Sequence, residues 1–268
     1  MCRKLALAAT ALMALTAASP ALAWGNKPAP AAAPAPTPAA SDAGDPTKPG
    51  KATAQERQAA DREEPLARAA FWAAQFNRDP KDTDAGLHLS AAMRAMGRYQ
   101  EASDVVQQLL VTSPDNVDAL LESARVAVAS GQGFFAVAPA QKAMALAPTD
   151  WRAPSLLAVA LAQIGRTAEA LQATRKVLAM APDNPTVLSN AAMFYAAQGD
   201  RPQAETLLRK AVLAPGASVQ VRQNLALVLG LEGKFEEAER IQREDLPPQM
   251  AENNMTYLKN AANAVGNK

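Results

Sequence analysis

A period of 34 residues runs through the chain and restricts its fold more than any other feature. Gly97, Gly131, Gly165, Gly199 and Gly233 stand at that interval, as do Ala102, Ala136, Ala170, Ala204 and Ala238. A third column, Ser90, Ala124, Ala158, Ala192 and Ala226, is small throughout, and a fourth, Leu109, Ala143, Val177 and Ala211, ends in Asp245. Pro114, Pro148 and Pro182 keep the same period, while Pro215 comes one residue early. The chain holds only 13 glycines, so five in one register mark a repeated structural unit.

Each column has a physical task. Glycine accepts the left-handed backbone that closes a helix, so each one ends a first helix of about 14 residues. The alanine five residues on sits in a second helix where two backbones approach closely. The small residue before the glycine supplies the other side of that crossing. Proline then stops the second helix and turns the chain into the next unit. Alanine, about a quarter of the 268 residues, is the best helix former, and aromatics at 4% are too scarce for an ordinary aromatic core. Period and composition together predict an all-α chain.

A helix-turn-helix unit of this length, with this Gly, Ala and Pro spacing, resembles the tetratricopeptide repeat, or TPR. Residues 219–248 carry the pattern best, with Asn224-Leu225-Ala226 and then Gly233-Lys234-Phe235-Glu236-Glu237-Ala238. The resemblance implies a right-handed α-solenoid of about five units: 83–116, 117–150, 151–184, 185–218 and 219–248. An aromatic follows the turn glycine as Tyr99 and Phe235, whereas Gly133, Thr167 and Arg201 take its place elsewhere. Pro139 falls inside the second helix of the second unit. A lost hydrogen bond and a clash there typically cost about 3 kcal/mol, so a kink or a late helix start is expected.

A solenoid must close its ends against water. Residues 57–82 read as a degenerate N-terminal half-repeat, with Leu66, Ala69, Ala70, Trp72, Ala73 and Phe76 available to pack on the first unit. Residues 249–268 read as a capping helix with Met255, Leu258, Ala262 and Val265 on one face.

Ahead of the array lie two segments of different character. Arg3 and Lys4, the uncharged apolar stretch 5–18, Pro20 and then Ala21-Leu22-Ala23 read as a secretory signal peptide (1–23) cleaved after Ala23. The apolar stretch is short for a membrane span. Cys2 precedes the basic residues, so it is not placed as a lipoprotein cysteine and leaves with the leader. Residues 24–56 carry Pro28, Pro30, Pro34, Pro36, Pro38, Pro46 and Pro49 among Ala, Thr, Ser and Gly, and read as a disordered, extended linker. The expected compartment is the periplasm, with any membrane contact indirect, through a partner.

Candidate chemistry is sparse. With 27 basic and 26 acidic residues the formal charge is +1, which gives no basic field for nucleic acid. A single histidine, His88, and a single cysteine, Cys2, argue against a His/Cys metal site and leave a catalytic triad only His88 to build on. His88 reads as a partly exposed structural residue. Gly131-Gln132-Gly133 lies between helices without the strand or the Gly-Lys-Ser/Thr ending of a phosphate loop, so it reads as a turn. Glu236, Glu237 and Glu239 read as a solvated face, and the scattered methionines as core filling. No catalytic residue, metal or cofactor is expected. Two other classes make distinct demands: an enzyme would need a catalytic domain outside the array, and a self-assembling structural array would form concentration-dependent oligomers.

The TPR resemblance places the first helices on the concave face, and so puts Arg94, Arg125, Arg152, Asn190, Gln223 and Asn224 on or near a protein-binding groove. Asn190 and Asn224 occupy equivalent positions in successive units, and an asparagine amide offers both donor and acceptor to an extended peptide. The alternative is that these residues solvate the groove or cap neighbouring turns. The paired Lys and Asn of carboxylate-clamp TPRs are not matched.

The last unit continues into Asp245-Leu246-Pro247-Pro248, then Asn253-Asn254 and Tyr257-Leu258. This run resembles the TadD-type TPR proteins of the Flp pilus (tight adherence) apparatus. The resemblance implies a scaffold that binds protein partners, a secretin or pilus machinery, during assembly. Members are commonly lipoproteins, and no lipobox cysteine stands here. Periplasmic adaptors for outer-membrane assembly, cell division or polysaccharide export are the alternatives.

Overall fold

The computed structural model describes residues 51–266, with side chains as far as residue 260. The leader read at 1–23, most of the linker read at 24–56, and the side chains of Ala262 and Val265 lie outside the described residues. Thirteen helices and no strand make up the described residues. After α1 (Ala54–Ala60) and α2 (Pro65–Arg78) come α3 (Thr83–Ala95) with α4 (Tyr99–Thr112), and α5 (Val117–Ala129) with α6 (Gly133–Leu146). Next are α7 (Arg152–Gln163) with α8 (Thr167–Met180), α9 (Pro185–Ala197) with α10 (Arg201–Leu213), and α11 (Val219–Leu231) with α12 (Phe235–Asp245). The last helix, α13, spans Pro248–Gly266.

The glycine column acts through the backbone. Its members have φ from 75° at Gly97 to 89° at Gly199, and a side chain at any of them would meet nothing within 4 Å. They are glycines because the chain must turn left-handed, not because space is short. After each one the next N–H reaches back into the helix just ended, Arg98 to the Met93 carbonyl and Lys234 to the Leu229 carbonyl, both at 2.9 Å. That closure satisfies carbonyls the helix end would otherwise strand.

The small columns act through packing. Ala102, Ala136, Ala170, Ala204 and Ala238 are each sealed from solvent, as are Ser90, Ala124, Ala192 and Ala226. Buried Ser90 donates its hydroxyl to the Ala102 carbonyl at 3.2 Å, so a polar atom inside the crossing is satisfied. Each first helix packs on its own second helix and on the second helix before it. Successive first helices also touch one another along the array, and no pair of second helices packs comparably. A double layer drawn together on one side curves toward that side, so the first helices form its inner face.

Three expectations need correction. The linker does not run to residue 56: Thr53 Oγ1 accepts from the Glu56 N–H at 3.3 Å, and Glu56 accepts from the Thr53 N–H at 2.7 Å. This reciprocal cap, a Thr-x-x-Glu signal, starts α1 at Ala54 and makes the N-terminal end a helix pair rather than half a repeat. Leu66 and Ala70 point to solvent, and α2 packs through Ala69, Trp72 and Phe76 instead. Finally, α6 starts at Gly133, as early as the other second helices, so the late start expected from Pro139 does not occur. The carbonyl that Pro139 cannot pair belongs to exposed Phe135, where water can reach it.

Trp72 anchors this end. It is fully buried, donates from Nε1 to Asp61 Oδ1 at 3.0 Å, and stacks on His88 with ring centres 4.4 Å apart. His88 Nδ1 lies 2.7 Å from the same Asp61 oxygen, and Nε2 lies 3.4 Å from Asp84. The chain's one histidine thus fastens α3 to the N-terminal pair.

Beside it Arg57 of α1 binds Asp82 at 2.5 Å, Lys51 approaches the same carboxylate at 3.1 Å, and Asp82 caps α3 through the Ala85 N–H. The Arg57 guanidinium, with the Ala85 and Lys51 donors, holds the Asp82 carboxyl well below the usual carboxylate range. A depressed native pKa stabilises fully above the unfolded value of about 3.9 and loses that effect as pH falls through the native one. Asp82→Asn should therefore cost about 2 kcal/mol of local stability at neutral pH, a loss that shrinks in strong acid. Amide exchange of 54–60 should accelerate at pH 7, and unchanged exchange would contradict the latch.

Candidate protein-binding groove

Of the six side chains expected in the groove, Arg94, Arg152, Asn190 and Asn224 are held by bonds between units, and Arg125 and Gln223 by bonds within one. Arg94 Nε donates to Glu122 Oε1 at 2.8 Å, and Arg125 donates to Glu122 Oε2 at 3.3 Å. Glu122 is buried, with the Ser90 hydroxyl 3.4 Å away, so the two guanidinium donors offset most of the desolvation of one carboxylate. Arg152 grips Asp150 and also reaches Asp118, one unit back, at 2.9 Å. Its guanidinium holds the Asp150 carboxyl below the ordinary range.

The two asparagines make the same bond one unit apart. Asn190 Nδ2 donates to Ser155 Oγ at 3.2 Å, and Asn224 Nδ2 donates to Ser189 Oγ at 2.9 Å. Each joins a first helix to the one before it. Gln223 instead donates to Asp245 at the end of α12, where Arg222 also binds. That bond explains the aspartate ending the fourth column, since its carboxylate is satisfied where the other units bury an aliphatic side chain. All six side chains are half-buried, and they form the seam of the inner layer.

Around the seam the chemistry changes along the array. Residues three, four and seven apart share a helix face. The face carrying the seam bonds reads Asp84, Asp118, Arg152, Thr186, Gln220 in one column. The next reads His88, Glu122, Leu156, Asn190, Asn224, and a third Ala91, Arg125, Val159, Met193, Leu227. Ionisable groups thus fill the first two units and end at Arg152. Beyond it, in these columns, the face carries only amide, hydroxyl and aliphatic groups. Val159, Met193 and Leu227 remain half-exposed there, in equivalent positions of three successive units. Reading single residues for polar binding groups missed them, although the 34-residue register would have found the stripe.

A family model of the tetratricopeptide repeat matches residues 165–223, across the third and fourth units and into the fifth. The described residues have the fold of a TPR-like solenoid. This TPR array is similar to a thermophilic TPR protein of Thermus thermophilus, at 20% identity and a TM-score of 0.59, over 65% of this chain and 97% of that one. A tetratricopeptide repeat protein from Parabacteroides merdae is similar at 13% identity and a TM-score of 0.63, over 76% and 80%. A chain of the APC/C hetero-tetramer Cut9–Hcn1 is similar at 14% identity and a TM-score of 0.61, over 78% of this chain and 40% of that one. No curated protein matches the sequence. At these identities the likeness is one of fold, the TPR solenoid.

Proposed function

We propose that this TPR protein is an exported scaffold that holds protein partners on the inner face of units three to five and serves assembly of the Flp pilus apparatus. The observation that carries the scaffold reading is the stripe of Val159, Met193 and Leu227. Aliphatic side chains left half-exposed in register, flanked by amides, suit a partner segment that brings its own apolar surface and backbone polar groups. TPR proteins bind protein partners, and the structurally similar chain from Cut9–Hcn1 is part of a hetero-tetramer. The pilus reading is supported by the run from Asp245-Leu246-Pro247-Pro248 to Tyr257-Leu258, and export by the residues ahead of Trp24.

Crosslinked capture of the tagged protein from intact cell envelopes, with mass spectrometry of the bound chains, tests both levels. A secretin or pilus-assembly components are the expected yield. Recovery of only division, polysaccharide-export or outer-membrane assembly proteins would overturn the pilus assignment and leave the scaffold standing.

A further inference from the structure

Packing between successive units is uneven along the array, and it is loosest between the third and the fourth. There α8 and α9 make far less contact than α6 makes with α7, or α10 with α11. We infer that the array bends at this junction, on Phe194, and that a partner seated on the neutral face holds it at one angle. The second half of the inference rests on the reading of that face as the binding surface; the first half does not.

The sequence supplies the cause. One column of the first helices, Ala92, Val126, Ala160, Phe194 and Val228, is buried throughout, and it is aromatic in the fourth unit alone. At the second junction Ala160 lies against Gly133, whose missing side chain lets the two backbones close up. One unit on, the same two positions are Thr167 and Phe194. A phenylalanine ring does not fit a space of that kind, so it holds α9 away from α8. The face of α8 gives little in return. Buried Thr174 stands where three other units have Val106, Ala140 and Leu208, and its hydroxyl donates to the Ala170 carbonyl of its own helix at 2.8 Å.

The cores divide at the same place. From Leu188 to Leu258 the buried apolar side chains of units four and five and of α13 form one cluster. Those of units two and three form another, and Phe194 is the buried α9 side chain that belongs to it. Half-buried Tyr195, its ring centre 5.8 Å from that of Phe194, packs against both. Asn190 crosses the junction to Ser155 at 3.2 Å, and Lys210 reaches the Pro182 carbonyl and the Asp183 carboxylate in the connecting turn, both at 2.9 Å. Ion pairs such as Arg209 with Glu237, which brace α10 against α12 at the last junction, have no counterpart here among the described residues. Two blocks that keep separate cores and meet through one ring and a neutral bond form a hinge.

The hinge cuts the neutral stripe. Val159 lies on one side of it, with Met193 and Leu227 on the other, so bending changes the spacing of the first two and leaves the second pair fixed. A partner that touches all three binds one angle best and shifts the population toward it.

Double electron–electron resonance between spin labels tests this, in the full chain with Cys2→Ser so that only introduced cysteines are labelled. Gln141→Cys with Thr206→Cys spans the second and third junctions. Gln107→Cys with Gln172→Cys keeps the same register one unit earlier and spans the first and second. All four positions are exposed. The later pair should give a distance distribution about twice as broad as the earlier pair. In protein copurified with its envelope partners, the later distribution should narrow to the earlier width. Thr167→Gly with Phe194→Ala copies Gly133 and Ala160 into the third junction, and should shorten and narrow the later distribution without any partner. Equal widths in the free, unaltered protein would overturn the hinge. A distribution unmoved by the double substitution would overturn Phe194 as its pivot, and one unmoved in the copurified complex would overturn the coupling to binding. The free protein decides the hinge by itself, whether or not partners are held on that face.

Discussion

Trp72→Ala should cost about 3–5 kcal/mol, and the loss should be confined to one end of the molecule. The indole is fully buried between α2 and α3, and its removal also strips a hydrogen bond from Asp61 and a stacking surface from His88. Arg57, whose guanidinium lies 5.3 Å from the ring centre, would lose that contact as well. In a solenoid each unit leans only on its neighbours, so damage spreads as far as an interface and no further. Amide exchange in 54–95 should rise sharply while 185–245 stays protected. A uniform loss of protection would show that the array unfolds as a single body and that the end pair is not a cap.

Gly133→Val should open the array between its second and third units. This glycine differs from the turn column, because its φ is ordinary and its constraint is space. A Cβ there would lie 2.7 Å from the Ala160 carbonyl oxygen and 2.8 Å from Gln163. The nearest obstacle is backbone, so relief requires α6 and α7 to part, at about 3 kcal/mol. Gly165→Ala meets nothing and strains only a backbone at φ 77°, which costs about 1–2 kcal/mol. The pair separates packing from conformation: only Gly133→Val should lengthen the particle in small-angle scattering. Equal melting losses with no change in shape would mean the interface absorbs the wedge.

How much of this was readable from residues alone depends on whether a feature is local or passes between units. Turn glycines and small columns announce themselves because each encodes a conformation or a contact within one unit, and that contact recurs along the array. The start of α1 was equally local, in Thr53 and Glu56, and was hidden by the proline-rich run before it. The seam was not legible, because Arg94 meets Glu122, Arg152 meets Asp118 and Asn190 meets Ser155 across units. Which partner a side chain finds there is set by how one helix pair stacks on the next, and the repeat consensus does not specify it. Glu122 shows the same limit: a glutamate in a helix reads as solvated until two arginines and a serine close on it. Leu66 errs the other way, an apolar residue in a helical pattern that the short α1 is too small to cover.

The seam also decides which substitution probes the groove. Asn190→Ala and Asn224→Ala would remove bonds that hold successive units together, so a loss of binding could not be separated from a change in curvature. Met193→Glu leaves the seam intact, and it sets an unpaired charge in the neutral stripe that any partner would have to desolvate. Capture of envelope partners by the Met193→Glu protein, measured beside the unaltered protein with both shown to be equally helical and equally stable, is the most direct test. Partner recovery should fall by about ten-fold or more, equivalent to at least about 1.4 kcal/mol of binding. Recovery equal to that of the unaltered protein would contradict the central claim that partners are held on the inner face of units three to five.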